Sequence, residues 1–210
     1  MKIAITGHTR GIGKAIADMF IETGHTVIGL SSSNGFDLTN EAQRKAAFNA
    51  ILDCDMFVNN AIPCAWTPEN HMIYVPVEFL YNVHKRWKGK DNKVIINIGS
   101  DISNVGLMNT ANSYQVSKIA LENAHKQLAY SSRQPKMILV KPGATDTDQI
   151  RHRPEVKMLP EDVANVIKFC VESLDTVYIR EITVAPGKKY FDAYVPPATP
   201  AASSSATKSV

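Results

Sequence analysis

The N-terminal run Lys2-Ile3-Ala4-Ile5-Thr6, followed by Gly7-His8-Thr9-Arg10-Gly11-Ile12-Gly13, most narrows what this chain can become. A short stretch of apolar and β-branched residues reads as a buried strand. It passes directly into a loop with three glycines and then into Gly11–Thr23, where Ile12, Ile16, Met19 and Phe20 share one helical face and Gly24 stands as terminator. Glycines let the backbone turn sharply and approach a phosphate, whose charge is met by N–H groups at the N-terminus of the following helix. The spacing is G-x-x-x-G-x-G, wider than the dinucleotide fingerprint G-x-G-x-x-G. It is not a P-loop, because that register needs Gly at position 8 and Ser or Thr at 15, where His8 and Ala15 stand. Alone, the element reads either as a nucleotide cradle or as a structural turn.

The same alternation continues along the chain. Thr26–Leu30, Asp55–Val58, Lys93–Ile98, Met137–Val140 and Glu181–Ala185 read as strands. Between them lie helical segments: Asn40 to about Leu52 with Thr39 as cap, Asn70–Trp87 with Pro76 predicting a kink or a late start, Ser113–Tyr130, and Pro160 to about Leu174. Alternating strands and helices predict an α/β fold, a parallel sheet covered by helices. At 210 residues the chain has the size of one domain. The expected division is a domain over 1–194 and, over 195–210, a low-complexity tail of Pro, Ala, Ser and Thr unlikely to pack.

Charge and cysteines set limits. A net charge of +3 suits a phosphate-bearing ligand, whereas a dedicated nucleic-acid binder is usually more basic. No apolar run is long enough to cross a bilayer, and the start lacks the form of a signal peptide. Cys54, Cys64 and Cys170 are odd in number and lack C-x-x-C spacing, so they read as reduced thiols of a cytoplasmic protein. The six histidines show no metal-ligand spacing, and no metal is expected. Lys85-Arg86-Trp87-Lys88-Gly89-Lys90 reads as a helix C-terminus rather than a nucleic-acid patch, and Arg151-His152-Arg153 as a solvated basic loop.

Six ordered motifs spanning residues 2–187 resemble the short-chain dehydrogenase/reductase family. They are the T-G-x-x-x-G-I-G loop, Asn59-Asn60-Ala61, Asn97-Ile98-Gly99-Ser100, Ser113-Tyr114-Gln115-Val116-Ser117-Lys118 with its Y-x-x-x-K core, Lys141-Pro142-Gly143 with Thr147, and Leu159-Pro160-Glu161-Asp162-Val163-Ala164. The resemblance implies a single doubly wound Rossmann-type parallel sheet of six or seven strands with helices on both faces. It also implies a nicotinamide cofactor lined by Gly7, Thr9, Arg10, Gly11, Ile12, Gly13, Ser31, Ser32, Asp37, Asn60, Ala61, Tyr114, Lys118, Pro142, Gly143 and Thr147. An NAD site typically ends the second strand with an acid. Here Leu30 is followed by Ser31-Ser32-Ser33, and Arg10 precedes the second loop glycine, so NADP(H) is favoured over NAD(H). Asp37 is either an adenine contact or a turn-capping carboxylate.

Tyr114 and Lys118, four residues apart on a helix, project from one face. By resemblance, Tyr114 is the general acid/base, Ser100 polarises the substrate oxygen and Lys118 is the electrostatic partner. An ammonium beside the phenol is expected to lower its pKa from about 10. The implied activity is hydride transfer between nicotinamide and a carbonyl or alcohol substrate, in a homo-oligomer, a dimer or tetramer. The alternative is a nucleotide-binding sensor or scaffold of the same fold with impaired catalysis, and a sugar-nucleotide epimerase of the extended branch is a further rival. The departures are specific. Ser100 precedes Tyr114 by 14 residues, one more than usual, with Ser103 as a weaker candidate; the family's catalytic Asn is replaced by Ile73 or Tyr74. Only three residues separate Ser33 from Asp37, where most members carry a helix and a strand, and the lid between Gly143 and Pro160 is short.

Overall fold

The computed structural model describes residues 1–63, 69–104 and 113–194. Cys64 and the tail 195–210 lie outside the described residues. Six parallel strands form one sheet: β1 (Lys2–Thr6), β2 (Thr26–Leu30), β3 (Met56–Asn59), β4 (Val94–Ile98), β5 (Lys136–Pro142) and β6 (Glu181–Val184). Their spatial order is β2-β1-β3-β4-β5-β6. Every adjacent pair is parallel, with Ile3 opposite Val27 and Met56, and Ile96 opposite Val58 and Ile138. The order reverses between β1 and β3, the switch point beside which α/β sheets hold their ligands. With the crossover after Ser33 removed, β2 is an edge strand. In place of the missing elements, a single 3-10 turn over Ser32–Asn34 closes on Gly35, whose φ of +87° suits glycine.

The helices divide between the two faces. α1 (Gly11–Glu22) and α5 (Pro160–Glu172) cover the face carrying Ile3, Ile5, Val58, Ile96, Ile138 and Val140. α2 (Glu41–Leu52), α3 (Glu69–Trp87) and α4 (Ser113–Ser131) cover the other, which carries Ala4, Phe57, Ile95 and Met137. β3 and β4 are buried along their whole length, as expected of strands covered on both sides. A short α6 (Lys188–Asp192) follows β6 and has no forerunner in the sequence reading.

Two local expectations, on the cap of α2 and the start of α3, are corrected. The cap of α2 is Asn40, whose side chain accepts from the Gln43 N–H; the Thr39 hydroxyl is already committed to Asp37. α3 does not start late but runs from Glu69 through Pro76, whose carbonyl accepts from Asn59 Nδ2 at 2.9 Å. Trp87 is fully buried with the Lys93 ammonium 5.5 Å from its ring centre, so no aromatic is available for base stacking in the Lys85–Lys90 patch.

Candidate active site

The glycine loop, Asn60-Ala61, Ser100 and Pro142-Gly143 lie at or just beyond the carboxyl ends of β1, β3, β4 and β5. At the end of β1, the Thr6 hydroxyl accepts from the backbone N–H groups of Asn60 and Ala61, at 3.0 and 3.1 Å. Asn60 Nδ2 donates to the carbonyls of Thr6 and Gly7, at 3.0 and 3.3 Å. Asn60 thus holds the glycine loop rather than facing outward. Gly7 and Gly11 have φ of +69° and +53°, and a Cβ on Gly13 would collide with the Gly7 carbonyl and with Asn60 Nδ2. α1 starts at this loop with no acid in its first turn, and its capping position, Arg10, is exposed. The His8 ring packs on Gly29 of β2 so closely that no side chain fits there, and its Nδ1 is buried without a partner.

On the β2 side, the Ser31 hydroxyl is turned inward. It pairs with the Ser33 hydroxyl at 2.9 Å and with Asn34 Oδ1 at 3.1 Å, while Ser32 is exposed. The Asp37 carboxylate accepts from the Thr39 N–H and hydroxyl, at 2.9 and 2.8 Å, which hold it below the usual carboxylate range. That is the turn-capping role.

The second cluster sits on β4, β5 and α4. Lys118 Nζ is fully buried and donates to the Ile98 carbonyl at 2.7 Å. Burial lowers its pKa to about 7. The ammonium lies 5.5 Å from the centre of the Tyr114 ring, against the ring face. Tyr114 is corrected in one respect: its pKa is raised, not lowered. Desolvation of the phenolate is the largest cause, hydrogen bonding to Ser100 opposes it, the Asp101 charge adds to it, and Arg153 weakly opposes it. Ser100 is buried, and its hydroxyl reaches the Pro142 carbonyl at 3.5 Å. Ser103 is removed as a competitor, because its hydroxyl donates to the Ser100 carbonyl and also pairs with Glu122.

Thr147, from the short segment after Gly143, packs its methyl against the space above Gly11. It thereby closes the distance between glycine loop and lid. Arg151 is paired with Asp148 at 3.0 Å and Asp146 at 3.8 Å, as a solvated basic loop should be. Tyr74, one of the two positions that replace the family's Asn, is half exposed and lines an outward groove with Ile73.

The NAD dependent epimerase/dehydratase family model matches residues 3–145. The chain belongs to that family, among the short-chain dehydrogenase/reductases. It is 29% identical over 189 residues to the 3-oxoacyl-[acyl-carrier-protein] reductase FabG of Vibrio cholerae serotype O1, covering 70% of this chain and 74% of that protein. Among solved structures it resembles the 3-alpha-hydroxysteroid dehydrogenase of Pseudomonas sp. B-0831 complexed with NADH, with a TM-score of 0.71, 20% identity, and 92% and 98% of the two chains covered. It also resembles the alcohol dehydrogenase of Thermococcus sibiricus complexed with 5-hydroxy-NADP, with a TM-score of 0.67, 18% identity, and 87% and 95% covered. These structures share its fold, and one holds NADH where the other holds an NADP derivative.

As a short-chain dehydrogenase/reductase, the protein is an oxidoreductase of CH–OH and carbonyl groups. Its glycine loop fits a nicotinamide nucleotide on its own evidence: the close approach that Gly13 permits, the acid-free first turn of α1, and the unpartnered His8 Nδ1. Among the described residues no group of His, Cys, Asp and Glu is arranged to hold a metal ion. None of their helices is long and apolar enough to cross a membrane. Sequence reasoning missed Thr6, His8 and Asp101. The first two lie inside the glycine-loop motif and the third directly follows Ser100, so their place in or beside the motifs was the available signal.

Proposed function

We infer that the protein is an NADP(H)-dependent reductase of small carbonyl compounds, with Tyr114 as proton donor, Ser100 as the group that orients the substrate oxygen and Lys118 as the buried support of the phenol. The observation that carries this reading is the Ser100–Tyr114–Lys118 set itself, with Ser100 and Lys118 buried, Tyr114 partly exposed with Lys118 against its ring, and the Ser100 hydroxyl reaching the Pro142 carbonyl. When bound, the nicotinamide would supply the hydride. Gly7, Thr9, Arg10, Gly11, Ile12, Gly13, Asn60, Ala61 and Thr147 would line it, the glycines by leaving room and Arg10 by its charge.

A phenol whose pKa is raised keeps its proton at neutral pH, so Tyr114 is set to donate to a carbonyl oxygen as it gains charge. The Ser100 hydroxyl beside it would hold that oxygen in line. We place the protein in the reducing cytoplasm, on the strength of the free buried Cys54 and Cys170.

Cofactor preference rests on Arg10, the exposed Ser32 hydroxyl and the lack of an acid after Leu30. NADPH is expected to bind about tenfold tighter than NADH, a difference of about 1.4 kcal/mol. Titration of intrinsic nucleotide fluorescence measures both constants, and equal or tighter NADH binding would reverse the assignment.

The homo-oligomer is proposed through the outer groove between α3 and α4, about 820 Å³, lined by Ile73, Tyr74, Val77, Tyr81, Ala120 and Gln127. Its Tyr74 and Tyr81 are exposed large aromatics, of the kind that anchor interfaces. Light scattering should report a dimer or tetramer that Tyr81→Asp converts to smaller species. A monomeric wild-type protein at micromolar concentration would remove the proposal.

A further inference from the structure

Lys141, the penultimate residue of β5, is only 3% exposed, a rare degree of burial for a lysine. Its stem crosses Gly99, with Cγ 3.0 Å from where a Cβ on that glycine would stand. Its ammonium donates to Asn104 Oδ1 at 2.8 Å, pairs with Glu181 on β6 and lies 3.5 Å from Glu122 on α4. An ammonium has three N–H groups, and here three acceptors surround it. One side chain therefore reaches from Gly99 to Asn104, and Ser100 stands within that span.

The same segment is fastened from its other sides. The Gly99 N–H donates to the Val140 carbonyl at 2.7 Å, and a 3-10 turn follows over Asp101–Asn104. The Ser103 hydroxyl donates to the Ser100 carbonyl at 2.7 Å and also pairs with Glu122, while Gln115 Nε2 donates to the Ile102 carbonyl at 3.1 Å. Lys126 pairs with Glu122 and stands 3.7 Å from Glu181, so two ammonium groups balance two carboxylates. A buried ion pair adds little net stability over apolar side chains of the same volume. What these charges add is direction, because each contact fixes an atom of the turn or of its anchor.

We propose that Lys141 is a positioning residue for the reaction: with Glu122 and Glu181 it clamps residues 99–104 and thereby sets where the Ser100 hydroxyl stands. The proposal deepens the reductase reading above and rests on it. The Ser100 hydroxyl has only long contacts of its own, to the Pro142 carbonyl at 3.5 Å and from the Ile102 N–H at 3.4 Å. Contacts of that length hold a hydroxyl weakly. Its place is therefore set by the backbone beneath it, and that backbone is what the Lys141 cluster grips.

Asn104 is the place to cut the clamp. Truncating Lys141 itself would strand Glu122 beside a single ammonium in a buried setting and risk the fold. Asn104 is exposed, so Asn104→Ala leaves no buried cavity and keeps the pairing of Lys141 with Glu122 and Glu181. It removes only the acceptor through which the ammonium holds the far end of the turn. Asn104→Asp puts an oxygen acceptor back in that place.

The test compares wild type, Asn104→Ala and Asn104→Asp, each with Ser100 intact and as Ser100→Ala. The first measurement is hydrogen exchange of the Ser103 amide, which donates to the Ser100 carbonyl at 3.2 Å. Exchange should quicken by about tenfold in Asn104→Ala and return to the wild-type rate in Asn104→Asp. The second is NADPH oxidation with a panel of ketones and aldehydes. Asn104→Ala should lower kcat by about tenfold, the scale of a small misplacement of a reacting group. KM, NADPH affinity and the unfolding midpoint should stay at their wild-type values, and Asn104→Asp should restore kcat. With Ser100→Ala already present, Asn104→Ala should have no further effect, because two changes that act through one group are not additive. Unchanged exchange, an undiminished kcat, or the same loss of kcat with and without the Ser100 hydroxyl overturns the clamp while the reductase reading stands. A wild type that turns over no carbonyl overturns the reductase reading, and the proposal with it.

Discussion

Replacing Tyr114 by Phe should reduce carbonyl-dependent NADPH oxidation by about 10²- to 10⁴-fold, the range set by loss of a positioned general acid. The substitution removes one oxygen and leaves the ring, so the packing of Lys118 against its face is kept. Nucleotide affinity should change by less than about threefold, since the loop around Gly7 and Gly13 is held by Thr6 and Asn60 and not by Tyr114. Steady-state assays paired with NADPH binding decide the matter. Undiminished turnover would remove Tyr114 from the chemistry. Affinity for the nucleotide without turnover in the wild type would favour the sensor or scaffold alternative.

A larger and different failure is expected of Gly13→Val. The added Cβ meets the Gly7 carbonyl and Asn60 Nδ2, and the first of these is backbone that cannot rotate away. The loop must open or α1 must shift, at a cost of about 1–3 kcal/mol for overpacking. Opening the loop separates the N–H groups of α1 from the place a phosphate would occupy. NADPH affinity should fall by at least about 100-fold, while thermal unfolding stays cooperative at a lower midpoint. A variant that binds NADPH as tightly as the wild type would show that the nucleotide does not use this cradle.

The two substitutions differ in how far the sequence alone could anticipate them. Glycine spacing and the four-residue step from Tyr114 to Lys118 are local facts, and local periodicity carries them into the structure unchanged. The strand ends were legible to within a residue or two for the same reason, because the apolar runs of β1, β2 and β4 are bounded by turn residues. Long-range packing governed the rest. Ser31 reads as a phosphate-binding hydroxyl until Asn34 folds back on it. Lys118 reads as a cation that acidifies Tyr114, yet both groups are desolvated together, and desolvation outweighs an ammonium placed against the ring face. Ser103 stayed a rival to Ser100 until α4 brought Glu122 to it. The motifs name Asn59 and Asn97 but not the buried chain they form with His125, and they do not reach Asp101. Their meaning arises only where β3, β4, α3 and α4 converge, and there His125 is kept neutral, its pKa lowered to about 4 by burial.

The position of β2 at the margin of the sheet has a further consequence. The adenosine end of the proposed ligand would rest against an edge strand and a one-turn connection, whereas Ser100 follows β4, a central strand buried along its whole length, and Tyr114 stands at the start of α4 beside it. Recognition and chemistry therefore stand on supports of unequal stiffness that share few neighbours. Changes distant from one another in this way combine nearly additively. Residues 31–35 can drift, and nucleotide preference with them, while the geometry of proton transfer is inherited intact. On the proposed reading, a chain shortened at its rim in this way keeps its reaction and leaves its choice of coenzyme open to revision.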